Sequence, residues 1–445
     1  MAGLDCGIDI GSTNLKVVLA GEDGRALHTR TLPTPRVRDG VGPVSDPMAL
    51  VRLLEEMIIA GWRAAGQGVP LRSIAVAGIG EDGVGVTYDL TPTGFAIPWF
   101  DKRAAKEAKG LASSFDAVDR TGMAVTAETT AAKWAWLHAY RPQELQGARW
   151  WIALTDFPAV WWTGQRFMSA SLAARTGCFD LLRRRWVDDL LRAVHAPPMP
   201  PLRGAGTAIG TVRGGPLRES GAVSDRTLVA AGGHDHPVAA AIIRRFDARA
   251  IVDSLGTANL LYGEMDRPPL LPREASLAFS VPPGGGEKVS CLGVLEFSAA
   301  LASAQEDRAG FMAFLANSTL PGPPAATPAD LQSGGTRRLL ERESLKARHA
   351  IIRMQSIGVK PGSIYTNGGW SRAPGFMQLR ASVFGQPLHV IGDMEVTALG
   401  AAMFGADAAT GRQASPLRAE DVTVVHPVPE WAAQYDQLYR QWAAS

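Results

Sequence analysis

The stretch AAGGHDHPVAAA, beginning at Ala230, sets Asp235 between His234 and His236, behind Gly232 and Gly233 and just ahead of Pro237. A carboxylate within hydrogen-bond reach of an alcohol can take its proton as the oxygen attacks, so this stretch suits general-base chemistry. Gly232 and Gly233 would give the turn room for a substrate, and Pro237 would stiffen the start of a helix. The histidines also allow a metal reading, because His-x-His on a strand turns both rings to one face. That reading lacks a companion cluster such as H-E-x-x-H. His234 and His236 equally suit orienting Asp235, contacting a substrate, or making ordinary hydrogen bonds in a turn.

A second stretch, DIGSTNLK, offers a different inventory. Gly11 lets the backbone approach a ligand, Ser12, Thr13 and Asn14 supply donors, Lys16 supplies charge, and Asp9 sits where a hydrated divalent cation would be held. These features suit a nucleotide phosphate tail, and they equally describe a tight polar hairpin turn. No GxxxxGK[ST] occurs, so the ordinary phosphate loop is excluded. The pattern recurs as DSLGTANLLYG from Asp253, with Ser254, Gly256 and Thr257 repeating the offer. Near the C-terminus, YTNGGWSRAPGFMQLRASVFGQPLHV places Gly368 and Gly369 between a strand and a helix carrying Met377. Glycines there would let a flat purine lie against backbone, and a strand-to-helix turn would use them too.

For a polyhydroxylated ligand, GIGEDGVGV and IPWFDKRA are the candidate pocket. Asp82, Asp101 and Arg103 supply acceptors and donors, and Trp99 offers a ring face to C–H groups.

Strand and helix patterns must carry these residues. Apolar residues from Leu4 to Ile10 and from Leu15 to Ala20 predict a hairpin around the GST turn. Val51, Leu54, Ile58 and Trp62 fall at helical spacing, SIAVAGIG returns to strand composition, and AAKWAWLHAY reads as helix. Alternating strands and helices predict an α/β chain. HAPPMPPLRGAG reads as a loop, as does LPGPPAATPADLQSGG, whose composition offers little to bury. LRRRW reads as a solvated basic face, and Trp431, Tyr435, Leu438 and Trp442 predict a packed terminal helix.

At 445 residues the chain suits two domains. With 45 Lys+Arg against 43 Asp+Glu, it has no charge excess to attract a nucleic acid or an anionic membrane. Cys6, Cys178 and Cys291 lack the spacing of a disulfide framework or a zinc site, and no segment reads as a signal or membrane span. Both point to a cytoplasmic protein with a small-molecule partner.

The order DIGSTNLK, WFDKR, GGHDH, SLGTAN, NGGWSRAPGFMQLRASVFGQPL and EVTALGAAMFGA resembles the FGGY family of carbohydrate kinases over nearly the whole chain. The resemblance implies an α/β fold of two actin-like, ribonuclease-H-like lobes with the active site in the cleft between them. It places the sugar in residues 1–235 and ATP in residues 236–445. It implies phosphorylation of a primary hydroxyl of a small sugar, a ketopentose or ketohexose, or else of a polyol. Asp235 would be the base, Asp9 would hold Mg²⁺, and Gly11, Ser12, Thr13, Asn14, Lys16, Gly256 and Thr257 would line the phosphates of ATP. Gly368, Gly369 and Met377 would receive adenine, and Asp82, Trp99, Asp101, Arg103, His234 and His236 would meet the sugar. Relatives are often dimers or tetramers, which allows for a homo-oligomer.

Departures from the pattern lie in FLANSTLPGPPAATPADLQSGG, shorter than the family's middle section, and at Trp370 and Ser371. The shortening leaves open a nucleotide-binding regulatory protein of the same fold.

Overall fold

The computed structural model describes residues 3–444 except 67, 115–117, 257, 275, 298–321, 393 and 414. Two mixed sheets organise it. The first contains β1 (Leu4–Ile10), β2 (Asn14–Ala20), β3 (Ala26–Pro33), β4 (Leu71–Gly78), β5 (Ala208–Thr211) and β6 (Leu228–His234). Its order is β5-β6-β4-β1-β2-β3. The second contains β7 (Ile251–Leu255), β8 (Asn259–Met265), β9 (Leu277–Ser280), β10 (Val289–Leu295), β11 (Ile364–Asn367), β12 (Leu388–Ile391) and β13 (Val422–Val425). Its order is β9-β10-β8-β7-β11-β12-β13.

The two sheets repeat one pattern. In each, a hairpin (β1–β2 or β7–β8) is extended by an antiparallel strand on one side, β3 or β10. On the other side follow two parallel strands, β4 and β6 or β11 and β12. An antiparallel strand, β5 or β13, then closes the row. The similarity of DIGSTNLK and DSLGTAN is therefore the trace of a duplicated architecture, the two-lobed actin-like arrangement.

The predicted helices form as α1 (Pro47–Ala65) and α2 (Thr130–Tyr140). In α1 the Asp46 carboxylate accepts the first free amides, those of Met48 and Ala49, and Gly66 in the left-handed region ends the helix. Leu50, Val51, Leu54 and Ile58 are its buried stripe. The later helices are α3 (Asp235–Phe246), α4 (Thr336–Ser356), α5 (Pro374–Phe384), α6 (Val396–Thr410) and α7 (Pro429–Ala444). Tyr435 and Leu438 anchor α7 in the core.

Helix α6 is apolar on every side, with Ala398 through Gly405 all buried. It lies against β1, β4 and β6 of the first sheet and against α3. A core cluster joins Ala75 and Ala230 of the first sheet, Val238 and Ile242 of α3, and Ala401 and Met403 of α6. Val252 and Tyr365 of the second sheet complete it.

The LPGPP loop expectation needs correction, and the expected solvated basic face of LRRRW holds for the exposed Arg183 and Arg185 but not for Arg184. Residues 320–321 of the LPGPP stretch lie outside the described residues, but Ala325 and Leu331 beyond them are buried. The Ala325 amide donates to Glu341, so this loop packs against α4. In LRRRW, Arg184 donates to the carbonyl oxygens of Gly286 and Lys288, which makes it a bridge to the following sheet.

Candidate active site

Asp235 is the first residue of α3, immediately after β6 ends at His234. The glycine pair does not open space for a ligand, as its composition suggests. A β-carbon on Gly232 would collide with the Val76 carbonyl, and one on Gly233, at φ 129°, would collide with Ser171. The β4–β6 register shifts between Ala231 and Gly233, so the pair forms an irregularity that re-aims the chain before Asp235.

The Asp235 carboxylate accepts the His236 amide at 2.7 Å, and the same oxygen lies 3.2 Å from His234 Nε2 and 3.6 Å from His236 Nε2. Burial raises its pKa to about 7; Glu81 adds to the rise and Arg175 opposes it. Burial, followed by the Arg175 cation, lowers both imidazoles, His236 to about 4 and His234 well below its ordinary value. Near neutral pH the site thus holds neutral rings around a carboxylate poised to exchange a proton.

The turn after β1 is open to solvent. Thr13 and Asn14 are exposed, Gly11 and Ser12 half-buried, and the Gly11 amide donates to the Asn14 carbonyl at 3.0 Å. Asp9, beneath this turn, has its pKa raised to about 7 by burial and then by Asp235. Lys16 Nζ is 2.5 Å from the Glu395 carboxylate, at the start of α6, so its charge is already partnered. Two neighbouring half-buried carboxylates short of positive charge fit a hard divalent cation. Among the described residues no three His, Cys, Asp or Glu form a metal cluster. Phosphate and water oxygens would therefore complete such a cation's shell.

The second hairpin has diverged from the first. Asp253, the acid of this hairpin, falls one position before the place equivalent to Asp9, which Ser254 occupies; it is fully buried and bound by Arg380 through two contacts of 2.7 Å, with Asn259 donating at 2.6 Å. It is a structural ion pair. Gly256 closes the turn by donating to the Ala258 carbonyl at 3.0 Å, and Thr257 lies outside the described residues. Ser254 donates to Asn367 at 3.0 Å. Gly368, at φ 100°, packs against the Leu255 carbonyl, whereas a β-carbon on Gly369 would meet nothing. Met377 is corrected: at 1% exposure it belongs to the core beneath α5 and offers no surface to a ligand.

The candidate sugar residues divide. Arg103 binds Asp39 at 2.6 Å and Asp101 at 2.8 Å, beneath the Trp136 ring, and Arg141 joins at 2.8 Å from Asp39. Asp101 and the two end nitrogens of Arg103 are thus committed to one another and to a buried network, while Arg103 Nε has no hydrogen-bond partner. Trp99 is 39% exposed and meets Phe100 edge to face. Asp82 is buried, and neither of its carboxylate oxygens has a hydrogen-bond partner.

The sequence model for the N-terminal domain of the FGGY family of carbohydrate kinases matches residues 4–242, and that for the C-terminal domain matches residues 307–409. The chain belongs to the FGGY family. This carbohydrate kinase is 25% identical to a xylulose kinase of Streptomyces coelicolor, over 95% of its own length and 91% of the relative's. Its fold matches that of a xyloylose kinase from Brucella ovis (TM-score 0.85, 20% identity, 99% and 98% of the two chains). It also matches a gluconate kinase from Lactobacillus acidophilus (TM-score 0.86, 18% identity, 100% and 97%).

The carbohydrate kinase also carries cations that no motif revealed. Arg175 bonds Glu81 through Nε at 2.7 Å and through Nη2. Its stem and the His234 ring crowd the face of Gly80. Lys133 is 1% exposed on α2, a charged residue within the apolar run AAKWAWL, and that contrast was the readable signal for it. Arg36 donates to the Ser12 carbonyl at 3.3 Å and lies over the Phe100 ring. Neither Arg175 nor Arg36 sits in a local pattern that marks it.

Proposed function

We propose that this kinase transfers the γ-phosphoryl group of ATP to a primary hydroxyl of a small sugar, a ketopentose or ketohexose, with Asp235 as general base. Family membership implies ATP and a sugar acceptor. The xylulose kinase relative, which the chain spans almost end to end, favours a ketose. The observation that carries the base assignment is a half-buried carboxylate at the head of α3, flanked by His234 and His236, whose pKa is moved to about 7, near working pH.

Each residue then has a task. Asp235 takes the hydroxyl proton as the oxygen attacks, and the neutral His234 and His236 rings hold its carboxylate in place. The exposed turn Gly11–Asn14 and the Gly256–Thr257 turn grip the phosphate tail from the two sheets, while Lys16 exchanges Glu395 for a phosphate oxygen. Asp9 would hold hydrated Mg²⁺, which supplies charge neutralisation to the phosphates. Gly369, with open space above it, receives the purine. Asp82 and Trp99 meet the sugar.

We divide the lobes at Asp235, where the last strand of the first sheet gives way to α3. Three buried free thiols suit a cytoplasmic setting. ADP release from Mg²⁺-ATP across ketoses, aldoses and polyols tests the reading. Stimulation by a ketose in wild type but not in Asp235→Asn supports it, and an Asp235→Asn variant with undiminished transfer removes the base.

A further inference from the structure

Asp156 precedes the short helix Phe157–Thr163, the place where a carboxylate ordinarily accepts the first free amides, as Asp46 does for α1. It makes no such bond. Its side chain turns inward instead, 1% exposed, and accepts the Ser169 amide at 2.6 Å on one oxygen and the Ser169 hydroxyl at 2.7 Å on the other. Among the described residues no cation is paired with it; burial raises its pKa to about 7, and the two Ser169 bonds oppose the rise. Burying an acid without a counter-charge works against stability, and an apolar residue of similar volume would fill the space without that cost. The arrangement points to a task beyond packing.

Ser169 begins a segment that runs beside Asp235. One turn of helix follows it, Ala170–Ala173, and the Ala174 and Arg175 amides close onto the Ala170 and Leu172 carbonyls at 3.1 and 2.9 Å. Two side chains of this segment serve the base. The buried Ser171 hydroxyl accepts the His234 amide at 3.0 Å, at the bend where β6 gives way to α3, and lies against Gly233. Arg175 holds Glu81 at 2.7 Å and is the cation that opposes the rise in the Asp235 pKa. The segment therefore supports the backbone that aims Asp235 and supplies the charge that favours its ionised form, and Asp156 grips it at its first residue.

We propose that Asp156 is a positioning residue for phosphoryl transfer: by holding Ser169 it fixes residues 169–175, and through Ser171 and Arg175 it keeps Asp235 aimed and able to ionise. The proposal rests on the reading of Asp235 as the base and names a residue on which that base depends.

The test uses the full chain as wild type, Asp156→Leu, Asp156→Asn and Ser171→Ala, with melting curves to confirm folding. Leu fills the volume but offers Ser169 nothing, whereas Asn can still accept the Ser169 amide and donate to its hydroxyl. With the best sugar of the panel, Asp156→Leu should lose about 10- to 100-fold in kcat while KM stays within a few-fold of wild type. The midpoint of its pH-rate profile should move upward, because Arg175 is no longer held toward the carboxylate. Asp156→Asn should recover most of both changes. Ser171→Ala should lower kcat, and combining it with Asp156→Leu should add little, since both break one chain of contacts. A folded Asp156→Leu with wild-type kcat and midpoint overturns the proposal, as does an Asp156→Asn as impaired as Asp156→Leu. If Asp156→Leu does not fold, Ser171→Ala decides, and wild-type kcat in that variant overturns it. Failure of the kinase reading has a different signature, no sugar-stimulated ADP release by wild type or undiminished transfer by Asp235→Asn. In that event the Asp235 carboxyl is titrated directly by carbon NMR in protein labelled at its aspartate carboxyl carbons, with Asp235→Asn identifying the signal. A higher midpoint in Asp156→Leu upholds the link from Asp156 to Asp235, and an unchanged one overturns it.

Discussion

At the scale of single residues, the proposed base, Asp235, is an acid whose environment opposes its charge. Because Asp235 must be ionised to accept a proton and its pKa lies at about 7, kcat/KM should fall about tenfold per pH unit below that value and level off above it. A pH-rate profile checks this. Arg175→Met removes the cation that favours the ionised form, so the midpoint should move upward. Asp235→Asn should lose about 100- to 10,000-fold in kcat while its melting temperature holds. Asp235 and Asp9 were legible in the sequence because each sits in a compact local pattern. Arg175 and Arg36 were not, because folding alone brings them to Glu81 and Ser12 from distant parts of the chain. Asp101 and Arg103 were legible as a cluster but not as a closed one, since Asp39 and Arg141, which complete it, lie far away in sequence.

Among the elements, the two hairpins each carry an acid, at neighbouring rather than equivalent positions, and put it to opposite uses. Asp253 is held by Arg380 in full burial, so Arg380→Met leaves an unpaired interior charge and should cost about 3–5 kcal/mol in chemical denaturation. Asp9 behaves otherwise. Its folded pKa is raised to about 7, so the folded chain keeps a proton that the unfolded chain releases near pH 4, and its contribution to stability declines as pH rises across that window. Asp9→Asn removes this decline. It should melt at or above the wild-type temperature at pH 8 while losing phosphoryl transfer. The duplication itself was visible in a few shared letters, but the sequence could not show that Arg380, which follows Asp253 by more than a hundred residues, had claimed the second acid.

For the molecule as a whole, the proposed site draws residues from both sheets, and the proposed transfer would require them to close around sugar and nucleotide and exclude water. Small-angle scattering should therefore show a smaller radius of gyration with sugar and a non-hydrolysable nucleotide together than with neither. The contact of α6 with the first sheet constrains how that closing happens. Gly7 of β1 admits the Ala398 carbonyl and Gly405 faces the Ser73 side chain of β4, while Gly400 faces the Val238 carbonyl of α3, each where a β-carbon would collide. Contacts this close leave α6 no slack for sliding over the first sheet. Residues 396–410 pack with the first sheet although they follow the second in sequence, so a closing motion of the kind proposed would not bend the chain along the boundary between its two repeated sheets.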